Sequence, residues 1–172
     1  MRKSFIATAA VTGALAAAVV APGVSNAADT VVTFSVAGGL LSITAPANQP
    51  LTVGGTAASG GITPVTVTDL RRSLSNWTTT AVSTAVTKPA PNPVTIPASS
   101  VTYSAPLLPT VTGVAVVTGT LLPQVIDSAK PVVAATAVVG NNTATWTGTV
   151  SVALPADITA GDYSGTVTHS VA

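Results

Sequence analysis

Apolar and polar positions alternate with a period of two along most of the chain, which is the signature of strands that bury one face. The pattern is clearest near the end. Trp146, Gly148, Val150, Val152 and Leu154 fall on one face, against Thr145, Thr147, Thr149, Ser151 and Ala153 on the other. Beyond Pro155 and a polar segment, Tyr163, Gly165, Val167, His169 and Val171 alternate against Ser164, Thr166, Thr168 and Ser170. These runs predict two strands paired antiparallel, joined by residues 155–162.

The same reading extends upstream. Residues 30–36 predict a strand with Val32, Phe34 and Val36 on one face, closed by Gly38 and Gly39. Residues 40–44 and 50–53 predict short strands, and 54–61 a flexible glycine-containing link. Residues 62–69 predict a strand whose Pro64 puts its first residues at an edge or a bulge. Asp69, Leu70, Arg71, Arg72 and Ser73 then form a turn, and 76–84 the returning strand. Prolines 89, 91, 93 and 97 make 88–93 a loop, with strand character resuming at Val94. Residues 101–104, 110–118 and 131–138 are extended. Residues 121–130 carry no assignment, since Asp127, Ser128, Ala129 and Lys130 suit either a turn or one helical turn. Gly140, Asn141 and Asn142 predict the turn into the C-terminal pair. No fixed period recurs.

Composition narrows the fold class. Glutamate is absent, leucine and lysine are sparse, and 14 Gly and 13 Pro punctuate the chain, so almost no window outside the N-terminus favours a helix. About seven to ten strands at this spacing predict an all-β, antiparallel sandwich, because sheets with one apolar face must stack to hide it. Residues 1–27 differ: Arg2 and Lys3, an apolar run from Phe5, then Ser25, Asn26 and Ala27 read as a cleavable signal helix cut before Ala28. The expected organisation is a signal peptide, 1–27, and a single domain, 28–172. With 0 Cys, an exported domain of this kind depends on packing and not on disulfides.

Charge removes several function classes. Without Arg2 and Lys3, the basic residues Arg71, Arg72, Lys88 and Lys130 stand against five aspartates, a formal charge of −1. No basic patch suits nucleic acid, and no second apolar stretch predicts a membrane span in the mature chain. One histidine without cysteine predicts no metal site, and no motif points to a cofactor. Asp157 and Asp162 share a loop where capping turn amides suits them better than holding calcium. His169 reads as a half-buried residue of the apolar face. A catalytic role would need a nucleophile and an orienting carboxylate beside it. Trp77 and Trp146 have the indoles a sugar-binding surface uses, but both sit in apolar register on strands and suit a core better. Asp69, Arg71 and Arg72 read as a surface ion-pair turn.

The order of these pieces resembles the WxL family of Gram-positive surface proteins, in its divergent actinobacterial form. The resemblance rests on residues 31–42, on Val65, Thr66, Val67, Thr68, Asp69 and Arg71 followed by Asn76, Trp77 and Thr78, on residues 96–103, and on Ala144, Thr145 and Trp146 leading through Leu154, Pro155 and Ala156 to Ala160, Gly161 and Tyr163. Family members carry two Trp-x-Leu motifs. Here Trp77 keeps the first tryptophan with Thr79 in the leucine position. In the second, His169 stands in the tryptophan position and Val171 in the leucine position, at the family's spacing from Tyr163. The resemblance implies an immunoglobulin-like sandwich exported to the cell envelope, where it associates non-covalently with peptidoglycan or with other surface proteins through residues such as Trp77, Trp146, Tyr163 and His169. The expected function is therefore non-enzymatic. The alternatives are a structural subunit joined by strand edges and, third, a secreted hydrolase using His169. The ligand and oligomeric state are not legible in the sequence.

Overall fold

The computed structural model describes residues 30–172, so the expected signal helix lies outside the described residues. Its contacts divide the chain between Ser35 and Val36. Residues 30–35 carry no regular structure, and Val31, Val32 and Phe34 are 81–86% exposed. The strand expected at 30–36 is therefore absent. Alternation shows which face a strand would bury, but a strand also needs a partner edge, and no described strand pairs with this segment.

The second part is all-β. Its strands are β1 (Leu41–Thr44), β2 (Thr52–Gly54), β3 (Ala57–Asp69), β4 (Trp77–Ser83), β5 (Val86–Lys88), β6 (Val94–Ile96), β7 (Val101–Ser104), β8 (Thr110–Gly119), β9 (Gln124–Val125), β10 (Lys130–Ala153) and β11 (Val167–Val171). All pairings are antiparallel. The organising element is β10, 24 residues long. Its first part runs between β4 and β8, and its second between β3 on one side and β8 then β7 on the other. One strand thereby belongs to both layers of a sandwich that approaches a barrel, with the series β1-β3-β10-β4-β11 as its spine.

Three expectations change here. Gly140, Asn141 and Asn142 do not turn the chain back. The positive φ of Ala137 (51°) and Gly140 (68°) instead accompanies two register shifts against β8, where Thr136 faces Val116, Val139 faces Val114 and Asn142 faces Gly113. Glycine and asparagine serve a bulge as readily as a turn, and the bulges let β10 bend from one layer into the other. The C-terminal strand is also shorter than expected, and it pairs with β4, not with the second half of β10. Both edges of that half are already taken by β3 and β7, so the chain crosses over to the open edge of β4. Finally, the glycine-containing link forms a tight turn and the start of β3, held by β2 and by β10.

Other expectations hold. Along β10, Asn142, Ala144, Trp146, Gly148, Val150 and Val152 are all buried, the predicted period of two. Between Ile62 and Val65 β3 has one residue more than the facing stretch of β10, so the bulge sits at Thr63 and Pro64, as the proline predicted. The segment 121–130 contains β9, paired with β7, and turns. The core gathers Val65, Val67, Trp77, Ile96, Val101, Tyr103, Ile126, Val132 and Val133, all 0–2% exposed.

Candidate functional site

The two tryptophans lie in the core, Trp77 at 1% and Trp146 at 4% exposure. An indole that deep offers no face to a sugar, so neither serves as a stacking platform. Each must still satisfy its N–H. Trp77 Nε1 donates to Asn142 Oδ1 at 3.2 Å, and Asn142 Nδ2 donates to Asp69 Oδ2 at 3.4 Å. Asp69 is itself fully buried, a correction to the surface turn read from sequence. Arg71 grips it with Nε and Nη2, each at 3.0 Å, and with its backbone N–H at 3.0 Å. The guanidinium also donates to the carbonyls of Ser75 and Asn76. Those bonds, above all the guanidinium's, hold the Asp69 carboxyl below the ordinary carboxylate range against the opposing effect of burial. In turn Asp69 raises Arg71. The fork fixes the β3–β4 connection and orients Asn142 under Trp77.

Trp146 belongs to a second network. Its Nε1 donates to the Tyr103 hydroxyl at 3.0 Å, and His169 Nε2 lies 3.1 Å from the same oxygen. With Trp146 already donating to it, the Tyr103 hydroxyl is placed to pass its own proton to His169 Nε2, an arrangement that goes with the histidine proton on Nδ1. The two rings meet edge to face with centroids 5.3 Å apart. Burial lowers the His169 pKa and raises that of Tyr103. The tyrosine ring lies over Gly148, where a Cβ would collide with the hydroxyl end of the ring. Nothing in the sequence analysis singled out Tyr103; the signal available was a lone aromatic in an alternating run. Burial favours the neutral form of His169 inside this packed network, and among the described residues no carboxylate or serine is bonded to it.

Tyr163 and His169 line a cleft of about 1040 Å³, which opens between residues 45–51 and 158–166. Its walls are Ile62, Val86, Ile96, Val150, Leu154 and Ile158, and Asn48, Gln49, Asp162 and Ser164 are among the polar residues lining it. Lys88 braces one wall. Though only 8% exposed, its Nζ donates to Thr159 Oγ1 at 2.7 Å and to the Ala160 carbonyl at 3.1 Å, and it sits 5.9 Å from the Tyr163 ring centroid. Tyr163 donates its hydroxyl proton to the Thr159 carbonyl at 2.7 Å. Ring face and hydroxyl are thus both engaged in shaping the loop. A second hollow of about 570 Å³ lies against Trp146, Leu108, Pro109 and Leu121.

The sequence-predicted residues separate accordingly: Tyr163 and His169 share the large cleft, Trp146 reaches it only through Tyr103, and Trp77 stands apart. β4 and β11 nevertheless pair, which puts Val171 opposite Thr79 and His169 opposite Ala81. No protein-family model, curated protein or solved structure matches this chain. Among the described residues no cluster of His, Cys, Asp or Glu is arranged to hold a metal ion, and no helix is long and apolar enough to cross a membrane.

Proposed function

We propose that this protein is an exported, non-enzymatic domain of the cell envelope that holds wall polymer or a surface protein in the cleft beside Tyr163 and His169. The observation that carries the reading is the chemistry of that cleft, in which aliphatic walls lie below a lining of amides and hydroxyls with Asp162 as its one charged residue. Polymers of N-acetylated sugars and short peptides present amides, hydroxyls and methyl groups, which such a surface can match without ion pairs. The resemblance to the WxL family supports the same reading, as does the pairing of its two motif positions on β4 and β11. His169 then acts as a wall of the cleft, because its Nε2 is committed to Tyr103.

Sedimentation of the purified protein with isolated cell walls tests this. The protein is expected in the pellet and is released by soluble peptidoglycan fragments. Replacing the exposed Asn48 and Gln49 with alanine reduces pelleting without changing the melting temperature. A protein that stays in the supernatant at every wall concentration overturns the reading.

A further inference from the structure

Among the described residues the outer edge of β8 is open. Only β10 among the described strands pairs with this strand of 10 residues, along one side. At the strand end the Thr120 amide donates to Val132 on the β10 side, and by alternation Val117 and Ala115 turn their N–H and C=O groups the other way. Gly119 N–H donates to the Leu107 carbonyl and Ala105 N–H to the Thr120 carbonyl, which closes this end, and among the described residues no backbone bond reaches the outward groups of Ala115 and Val117. Natural sheets protect such an edge with lysine, proline, a bulge or brevity. Here no charged residue occurs between Lys88 and Asp127, and the strand contains no proline. The exposed face carries Val114 and Val116, each 58% exposed, beside Val139 at 53%.

We infer that β8 is a self-association surface, in which two copies of this chain pair β8 with β8 antiparallel across a two-fold axis at Ala115. Main-chain groups alone would accept any strand, and the side-chain pattern selects a second copy. An axis at Ala115 makes Ala115 face its own counterpart through the outward N–H and C=O groups, and it sets Val114 of each copy opposite Val116 of the other, twice. β-Branched residues facing each other across a non-hydrogen-bonded pair are among the favourable cross-strand contacts. Val139, the β10 partner of Val114, extends the valine surface on both sides. The axis position also follows from the blocked end. A centre at Val116 would bring residue 113 of one copy against residue 119 of the other, where Leu107 already holds the Gly119 amide, whereas a centre at Ala115 keeps the Val114–Val116 pairs clear of that end and of Gly113, whose φ of 91° departs from extended backbone. The contact is isologous and closes at two copies.

Sedimentation velocity across a concentration series reads the association. The wild-type protein shows a concentration-dependent monomer–dimer equilibrium. V114K/V116K sets lysine opposite lysine at two places and weakens dimerisation by about tenfold or more. Mixing that variant with V114D/V116D restores a heterodimer while each variant alone stays monomeric, which is the outcome specific to this register. Both variants keep the wild-type melting temperature, since the replaced side chains are exposed. Because the chain has no cysteine, V114C/V116C forms a disulfide-linked dimer on mild oxidation only if residues 114 and 116 of two copies lie within the short Cα separation a disulfide needs. A wild-type protein monomeric up to about 1 mM, where even millimolar contacts register, overturns the inference. So does a dimer that the lysines leave unchanged. The outcome is independent of wall binding, because the monomeric variant keeps the cleft intact and can be pelleted with walls on its own.

Discussion

Each buried tryptophan passes its N–H to a polar partner, and the two chains of partners end differently. From Trp77 the chain runs through Asn142 to Asp69 and closes on the guanidinium of Arg71, a permanent charge. From Trp146 it runs through Tyr103 to His169, a neutral imidazole that can be charged by mild acid. The first end depends on an ion pair staying ionised, and the second depends on a ring staying neutral. The same fold therefore has two polar anchors with separate sensitivities, which substitution can pull apart.

The largest effect belongs to the ionic end. Asp69→Ala leaves the Arg71 fork and Asn142 without their acceptor and is expected to cost about 3 kcal/mol in chemical denaturation, at the low end for a broken buried pair because Arg71 is 26% exposed. Asp69→Asn keeps the shape without the charge and separates packing from electrostatics. At the neutral end, Gly148→Ala forces a methyl group against the Tyr103 hydroxyl and is expected to cost about 1–3 kcal/mol, the usual range for overpacking. Thr79 sharpens the contrast from the other direction. It is fully buried on β4 between the two networks, and its hydroxyl is the one buried side-chain polar atom without a partner among the described residues. Thr79→Val removes that orphan at constant volume and is expected to raise stability by about 1 kcal/mol.

Acid distinguishes the ends by pH. The His169 pKa is lowered in the fold, so the unfolded chain binds the proton more readily, and stability present above the unfolded value of 6.5 is lost as pH falls through it. The Asp69 pKa is also lowered, so its contribution is present above the unfolded value of 3.8 and is lost below it. Thermal melts from pH 7 to pH 3 should show two successive declines. His169→Phe flattens the upper decline and Asp69→Asn the lower one. A wild-type profile flat between pH 7 and 5 would contradict the assignment of a neutral, buried His169.

The sequence made the buried face of β10 legible because alternation records burial directly: Trp146, Val150 and Val152 were placed correctly by period alone. Partnership was not legible in the same way. Residues 30–36 alternate as well as β10 does yet pair with no described strand, and 167–171 pair with β4 and not with the preceding strand because local pattern says nothing about which edge is free. Gly140 and Asn142 misled for a related reason, since their backbone freedom serves a bulge in a continuing strand. Of the candidate site, period two places His169 on the half-buried face of β11 with Val167 and Val171, whereas Tyr163 lies in the loop before that strand. Tyr103 and Asn142, which give both tryptophans their partners, lay in ordinary strand text, and Asp69 looked exposed because charged residues in turns usually are.

The length of β10 has a consequence for how the fold opens. Its hydrogen bonds reach β3, β4, β7 and β8, so the pieces left without it are small strand groups, such as β4 with β11 or β7 with β9, that cannot cover their own apolar faces. The four strands that β10 holds cannot keep their shared apolar faces covered once it leaves. Amide protons along its paired stretches should accordingly exchange with solvent only through whole-domain unfolding, at one common free energy, whereas those of the two short strands β5 and β6, paired in a sheet of their own, exchange earlier through local opening.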